Sequence, residues 1–410
     1  MFECINSTVK KAMIVMSCFF AIAQAAAIPA PDLALAPRAS QAETELPFRK
    51  LPDLIEPFVD LSPQKKEDGI MVGELDKNGA RRTKIITLAK ALSTPQFGRY
   101  DSVLIAQHGK LVFESYFRRG RADLPHWQAS TTKAYLSLAV GRAIQLGYLS
   151  MADLNKPIVS FLAELDPEKF VEGVTTITLH QAMTMRSGLR INAQQKEVLQ
   201  NSQSKMKGQN QVQAFFEATA PITAQQQVFH YQSEDPILVM QVLNAVVPGG
   251  ARNFIENELL KKLGINNFNW RDDVSGLPMG PYGSQLLSRD MLKIGLLASN
   301  GGKWQGTQLI PEVFMTRSTH KIIEHKDADI FFTGETVLNA GYGYYWWQAD
   351  MKVGRQYYST RSAQGGGGQY IVLVDDLDLI VVTTAHERND ETMKLVSENI
   401  LPIFADVTIN

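Results

Sequence analysis

The sequence has few cysteines and almost no net charge, and each shortage excludes a class of protein. Only two of its 410 residues are cysteine, Cys4 and Cys18, so a fold held together by several disulfides is excluded. Lysine and arginine number 41 against 42 for aspartate and glutamate, giving a net charge of -1. Such a balance gives no reason to expect nucleic-acid or anionic-membrane binding. The composition is that of a soluble globular protein with a large core.

Several motifs that carry catalytic chemistry are also missing. The seven histidines include no His-Glu-x-x-His pair, so a catalytic zinc site is not expected. No Gly-x-Ser-x-Gly elbow occurs, which argues against the α/β-hydrolase fold. The four glycines at 365–368 are not followed by Gly-Lys-Ser/Thr, so they do not form a phosphate loop. No metal and no cofactor is expected.

Long apolar runs are absent except near the start of the chain. Lys10 and Lys11 precede an apolar run of twelve residues, 12–23, interrupted only by Ser17, and small residues in A-x-A spacing follow up to Ala27. This pattern predicts a secretory signal peptide over residues 1–27 and a periplasmic or secreted protein, with no membrane span in the mature chain. The run is short for a membrane-spanning helix, which needs about 20 apolar residues. A signal anchor and a lipid anchor at Cys18 are the alternatives.

The remaining sequence divides into a short tether and one long domain. Residues 28–48 are rich in alanine and proline without periodicity, which predicts a flexible linker. Residues 49–410 form the predicted domain. Within it, β-rich runs lie at 100–117 and 369–385, around His108-Gly109 and Asp375-Asp376. Each is typical of a hairpin.

The order of strands and helices predicts an α+β fold. A strand-like aromatic segment at 341–349 precedes the second hairpin, and an amphipathic helix is predicted at 391–404. The middle of the chain, about 150–330, carries mostly helical patterns. This segregation predicts an antiparallel sheet built from both ends of the chain, flanked by helices, with a helical insert between its halves.

Ser-x-x-Lys is the most suggestive short motif, because serine and lysine at this spacing can act as nucleophile and base. It occurs six times, so the motif alone decides nothing. The occurrences are Ser7/Lys10, Ser62/Lys65, Ser130/Lys133, Ser202/Lys205, Ser204/Lys207 and Ser318/Lys321.

Catalysis by such a pair has two physical requirements. A helix beginning at the serine places positions i and i+3 side by side, and its positive dipole end favours negative charge at the serine oxygen. Burial must also lower the lysine pKa from about 10.4 so that the amine can accept a proton. Only Lys133 is followed by about four turns of apolar helix, ended by Gly147. The pattern equally allows Ser130 to be a simple N-cap.

A family resemblance supports the catalytic alternative. Several landmarks occur in order: Ser130-Thr-Thr-Lys133, "TITLHQAMTMRSGL" from Thr176, "FHYQSEDP" from Phe229, "GYGYYWWQ" from Gly341 and "SAQGGGGQYIVLV" from Ser362. This set resembles the serine β-lactamase and penicillin-binding superfamily, on its class C-like branch. That branch also contains family VIII-type esterases, 6-aminohexanoate-dimer hydrolases and D-alanyl-D-alanine carboxypeptidases.

The resemblance implies a role for each landmark residue. Ser130 is expected to be the nucleophile, Lys133 the base and Tyr231 the proton relay. The backbone N–H groups of Ser130 and Gly366 are expected to form the oxyanion hole. Substrate contacts are expected from Ser233, Gln364, Gly365 and Trp346.

The third element departs from the superfamily pattern. Ala363-Gln364-Gly365 stands where Lys-Thr-Gly or His-x-Gly is usual, and Ser233 stands where the second element usually has asparagine. The missing cation would ordinarily help to hold a substrate carboxylate. The resemblance therefore predicts an exported serine hydrolase acting on small esters or amides. The alternatives are a β-lactamase or D-alanyl-D-alanine carboxypeptidase acting on cell-wall peptides, and a non-catalytic protein that binds such peptides or a partner.

Overall fold

A computed structural model of the protein describes residues 35–75, 79–324, 335–388 and 390–405. The predicted signal peptide and its possible lipid-anchor site at Cys18 lie outside these residues. From Ala36 onward the chain forms one compact unit. No helix in the described ranges is long and apolar enough to cross a membrane.

Fifteen strands occur in the described residues, and ten of them form one sheet. Their bounds are β1 Phe58–Asp60, β2 Met71–Val72, β3 Tyr100–Gln107, β4 Lys110–Tyr116, β5 His126–Trp127, β6 Asn269–Trp270, β7 Ser284–Leu286, β8 Lys303–Trp304, β9 Thr307–Gln308, β10 Ile323–Glu324, β11 Val337–Tyr342, β12 Trp347–Val353, β13 Gln356–Gly365, β14 Gln369–Val374 and β15 Leu379–Ala385.

The large sheet joins the two ends of the chain, which confirms the predicted fold class. Its order is β1-β4-β3-β15-β14-β13-β12-β11-β10, with β2 beside β4, and β15 pairs with β3 at its centre. The hairpin β3–β4 turns at His108 and Gly109, which both have positive φ as a two-residue primed turn requires. The hairpin β14–β15 forms at the second predicted position. The predicted aromatic strand at 341–349 is instead the end of β11, a turn and the start of β12.

Helices cover both faces of the sheet. Their bounds are α1 Gln41–Thr44, α2 Ala80–Leu92, α3 Thr131–Gln145, α4 Leu179–Met183, α5 Ala193–Asn201, α6 Asn210–Ala218, α7 Glu234–Val246, α8 Gly250–Phe254, α9 Ser288–Ser299, α10 Glu312–Thr319, α11 Thr392–Leu395 and α12 Leu401–Phe404. A π-helical segment, Val396–Ile400, makes α11 and α12 continuous, as the predicted terminal helix requires.

The sheet separates two apolar cores. On one face, residues of α3, α7 and α9 pack against Ala363, Ile371 and Ile380. On the other face, residues of α2 and the C-terminal helix pack against Tyr370, Val372 and Val381. Successive residues of β14 therefore point into different cores, which explains why this strand is apolar from Tyr370 to Val374 rather than alternating.

The predicted linker is corrected from residue 36 onward. Ser40 caps α1, and the Arg121 side chain forms an ion pair with Glu43 at 2.6 Å and donates to the carbonyl of Pro52. The backbone N–H of Ala122 also donates to the carbonyl of Pro37. Composition alone could not reveal these contacts, because they join the segment to residues about 80 positions away. Residues 36–48 are therefore part of the folded unit.

Candidate active site

Ser130 stands at the start of the buried helix α3. Ala129, just before it, has a φ of 47°, a left-handed conformation that is strained for a residue with a side chain. Ser130 occupies the N-cap position, but its side chain makes no capping hydrogen bond to the helix. Its Oγ instead accepts a hydrogen bond from Lys133 Nζ at 2.9 Å. The geometry therefore differs from that of an ordinary capping serine.

Lys133 is held one turn deeper in an environment that disfavours its charge. Its residue is only 3% exposed, and Nζ also donates to the carbonyl of Pro281 at 2.8 Å. Burial lowers the pKa of the amine from 10.5 to about 7. No carboxylate contributes to this shift, so desolvation acts unopposed. Near neutral pH a large fraction of Lys133 is uncharged and able to accept a proton.

Tyr231 completes a group of three. Its side chain hydrogen-bonds to that of Ser130, and Lys133 Nζ lies 4.8 Å from the centre of its ring. Burial raises the pKa of the phenol to about 12, although the hydrogen bond with Ser130 acts in the opposite direction. Tyr231 is thus protonated at neutral pH and is suited to donate or relay a proton. Lys133, whose pKa is lowered, is therefore the better base near neutral pH.

Asp235 and Ser187 anchor the segment that carries Tyr231, and the sequence analysis assigned neither of them a role. Asp235, fully buried in the first turn of α7, accepts a 2.5 Å hydrogen bond from Ser187 Oγ and a 2.7 Å hydrogen bond from Gln232. His230 N–H donates to the carbonyl of Met185. The end of the "TITLHQAMTMRSGL" landmark, which contains Met185 and Ser187, therefore holds the segment with Tyr231 in place. The sequence signal that could have identified Asp235 is an acidic residue in the first turn of an apolar helix.

The first glycine of the 365–368 run lies against the start of α3. A Cβ on Gly365 would lie 2.4 Å from the carbonyl oxygen of Gln128 and 2.7 Å from Thr131 Oγ1. Thr131 Oγ1 donates to the carbonyl of Gln369 across the same contact at 2.7 Å. Only glycine permits this approach of β13 to α3. Gly366 follows at the end of the strand, where a Cβ would have no neighbour within 4 Å.

Two of the predicted substrate contacts have unexpected surroundings. The Gln364 side chain is buried and donates to Ser362 Oγ. It pairs with Tyr370 across the sheet, so strand alternation directs it toward the C-terminal helix rather than toward α3. Ser233 is exposed at the N-terminus of α7, beyond the buried Glu234 and Asp235. Neither side chain joins Ser130, Lys133 and Tyr231.

The tryptophan that lies beside Tyr231 is Trp347, one residue after the predicted Trp346. Trp346, the predicted substrate contact, is fully buried in the core because the turn from Gly343 to Trp346 directs it inward. Its neighbour Trp347 instead packs against Tyr231, with ring centres 5.7 Å apart. Trp347 therefore supports the phenol. The sequence could not separate two adjacent tryptophans at a turn.

The site has no cation at the position that is usual for the superfamily. Ala363 occupies it on β13 and is fully buried. The described residues contain no group of three or more histidine, cysteine, aspartate or glutamate side chains arranged to hold a metal ion. What the site offers is a hydroxyl, a poorly solvated amine and a phenol in contact, beside a glycine-lined strand end.

Comparison with known proteins places this geometry in a family. The beta-lactamase family model matches residues 99–401. Similar solved structures include a protein from Bacillus anthracis assigned as a 6-aminohexanoate-dimer hydrolase (18% identity, 84% of each chain, TM-score 0.55). A class C beta-lactamase is 16% identical over 80% of this chain and 97% of its own, with a TM-score of 0.58.

A D-stereospecific amidohydrolase from Streptomyces sp. is 14% identical over 78% of this chain and 99% of its own, with a TM-score of 0.54. No curated protein sequence matches the chain. At such identities the structural likeness extends to the fold alone, whereas the family model covers about three quarters of the sequence. The chain belongs to the beta-lactamase family.

Proposed function

We propose that the protein is a serine hydrolase that cleaves small esters or amides through an acyl-enzyme on Ser130. The observation that carries the proposal is the 2.9 Å contact between Ser130 Oγ and an amine whose pKa burial lowers to about 7. A lysine that served only as a structural cation would gain from a carboxylate partner, and none contributes here. Membership of a family of serine hydrolases supports the same activity.

The proposed reaction begins with proton transfer from Ser130 to neutral Lys133. Ser130 Oγ then forms a bond to the substrate carbonyl carbon, and backbone N–H groups of Ser130 and Gly366 stabilise the resulting oxyanion. Each such donor lowers the barrier by about 3 kcal/mol. The bond to the leaving group breaks, and that group takes the proton passed from Lys133 through Tyr231. Water then attacks the acyl-enzyme, gives a proton back through the same pair and frees Ser130.

The missing cation distinguishes the proposed substrates from β-lactams and cell-wall peptides. These ligands carry a carboxylate for which Ala363 offers no positive charge. Faster turnover of short-chain esters than of β-lactams is therefore expected. We also propose that residues 1–27 direct export to the periplasm or the medium, on the strength of the sequence pattern alone.

Covalent labelling and two substrates test the proposal. A fluorophosphonate probe should label the wild type but not the Ser130→Ala variant, and only the wild type should hydrolyse p-nitrophenyl butyrate. Nitrocefin turnover faster than butyrate turnover would favour the β-lactamase alternative. A folded wild type that takes no label and hydrolyses no ester, amide or lactam would favour a non-catalytic binding protein.

A further inference from the structure

A cleft beside the glycine turn at 365–368 is rich in arginine. It measures about 560 Å³. Four arginines line it, together with an aromatic ring and a glycine of the turn: Arg49, Arg99, Arg119, Arg388, Trp127 and Gly366. The only acidic side chain among the lining residues is Glu387, so the described lining is strongly cationic.

The positive charge of this cleft is only partly compensated. Arg99 Nε lies 3.7 Å from Glu387, and the Arg99 side chain is 46% exposed. Arg119 Nε lies 3.8 Å from Asp53, beyond hydrogen-bond distance, and finds no hydrogen-bond partner in the described part of the chain although it is shielded from solvent. A buried guanidinium N–H without a partner is costly, and an anion would satisfy it. The cleft therefore has unused capacity to bind negative charge.

A rigid cluster forms the floor of the cleft. Asp101 is fully buried and accepts hydrogen bonds from His126 Nε2 at 3.1 Å and His386 Nδ1 at 2.8 Å. The backbone N–H of Arg119 donates to the same carboxylate at 3.1 Å. Phe48 packs edge-on against His126, with ring centres 4.4 Å apart. These hydrogen bonds of Asp101 are made to the two histidines and a backbone N–H, and not to the arginine side chains.

The cleft lies close to the proposed nucleophile. Trp127, which is 43% exposed, is three residues before Ser130, so their Cα atoms are at most roughly 11 Å apart. Gly366, whose N–H is the proposed oxyanion donor, lines the same cleft. A substrate acylating Ser130 could therefore extend past Gly366 into the arginine residues. Arginine suits this task because its planar guanidinium binds carboxylates through paired hydrogen bonds.

We propose that this arginine cleft binds a carboxylate carried by the substrate, so that the enzyme prefers esters and amides with an acidic chain. The inference rests on the proposed function and specifies its substrate class. Ala363 is not among the lining residues, so the cleft would receive a carboxylate at the end of a chain that extends past Gly366, and not one held at the position usual for the superfamily. Trp127 and Phe48 provide apolar surface for the chain that carries the carboxylate.

Matched pairs of esters test the preference. Mono-p-nitrophenyl glutarate is compared with p-nitrophenyl butyrate, which places the acid in the acyl part. 4-Carboxyphenyl butyrate is compared with phenyl butyrate, which places it in the leaving group. We expect one acidic ester to exceed its neutral partner in kcat/KM by roughly 10- to 100-fold, as charge-assisted hydrogen bonds allow. Added salt should reduce this ratio because the cleft is open to solvent.

Charge reversal locates the effect. The double variant Arg99→Glu/Arg388→Glu should abolish the acidic preference, and Arg49→Ala should reduce it. Arg99→Lys/Arg388→Lys should retain most of it. The control is Arg355→Glu, which changes an exposed arginine in the β12–β13 turn. It lies at the opposite end of the ten-residue strand β13, roughly 30 Å from Gly365, and should leave the ratio unchanged.

Glutarate binding, measured by titration calorimetry, separates this proposal from the proposed function. If Ser130 takes no label and no ester is cleaved, glutarate binding that is lost in the charge-reversed variant still supports the cleft, and only the hydrolase proposal fails. If esters are cleaved without acidic preference and glutarate does not bind, the cleft proposal is overturned and the hydrolase proposal stands. An equal loss of preference in Arg355→Glu would also overturn it, because the effect would then be one of overall charge.

Discussion

At the scale of single residues, burial of the Lys133 amine lowers the stability of the fold and suits the amine to its proposed role as a base. The side chain is almost fully buried, and burial alone lowers its pKa to about 7. In the unfolded chain the same amine has its ordinary pKa of 10.5. Folding therefore removes a proton from Lys133 at any pH between these values, and this makes stability depend on pH.

The Lys133→Met variant should reveal both effects. Between pH 7 and 10.5 the unfolded wild type binds more protons than the folded one, so its free energy of unfolding should rise with pH. Relative to the variant, the rise should be about 1.4 kcal/mol per pH unit. Below pH 7 the difference should be constant. In the wild type, kcat/KM for p-nitrophenyl butyrate should rise through an apparent pKa near 7, because the base must be neutral.

Chemical denaturation of both proteins across this pH range measures the difference. A difference that stays flat from pH 7 to 10 would mean that the folded state keeps the amine charged. In that case Lys133 could not be the base.

At the scale of elements, the approach of β13 to α3 sets the geometry of the site. Gly365 touches the backbone of Gln128 and the side chain of Thr131, while Thr131 donates to the carbonyl of Gln369. These contacts fix the strand end beside Ser130. The proposed oxyanion donor, Gly366, follows directly, so its position depends on the same contact.

The Gly365→Ala variant should disturb this contact. The new methyl group would meet a backbone carbonyl at 2.4 Å, which cannot move without shifting the start of α3. We expect a loss of about 1–3 kcal/mol in the free energy of unfolding and a marked fall in kcat. Gly366→Ala adds the same methyl group into open space and is the stability control. Equal melting temperatures for the two variants would contradict the close packing described here.

At the scale of the whole molecule, the sheet is stabilised from two sides by cores of different origin. The face with the candidate site is covered by helices from the middle of the chain, including α3, which begins directly after Ser130 and contains Lys133. The opposite face is covered by α2 and the C-terminal helix, with Ile400, Leu401 and Phe404 buried. The site itself is therefore supported by residues that contact no substrate.

The Phe404→Ala variant tests this support. Removing a fully buried ring should lower the free energy of unfolding by about 3–5 kcal/mol. Kinetics at a temperature where the variant remains folded should show kcat/KM close to that of the wild type, because the ring lies across the sheet from Ser130. Val313→Ala, at a residue 60% exposed, should change stability by less than about 0.5 kcal/mol. A large loss of activity in folded Phe404→Ala would mean that the two faces are coupled.

Much of the fold and part of the candidate site could be predicted from the sequence. Both hairpins and the buried helix after Ser130 follow from local apolar patterns and turn residues, and the meeting of the two chain ends in one sheet follows from the order of these elements. These signals are short-range, because strand alternation, helix periodicity and turn chemistry act over a few residues. Selecting Ser130 among six matches needed only the apolar helix behind it and the family landmarks.

The remaining features depend on contacts between distant segments, which only the tertiary structure decides. The anchoring of Tyr231 by Asp235 and Ser187, the inward turn of Trp346 and the ordering of residues 36–48 all join parts of the chain without a shared local pattern. The arginine cleft is the clearest case, since Arg49, Arg99, Arg119 and Arg388 come from four separate segments. Which helices and strands form could be read from the sequence, because their formation depends on a local free-energy balance. Which charges and rings meet was decided by how those elements pack.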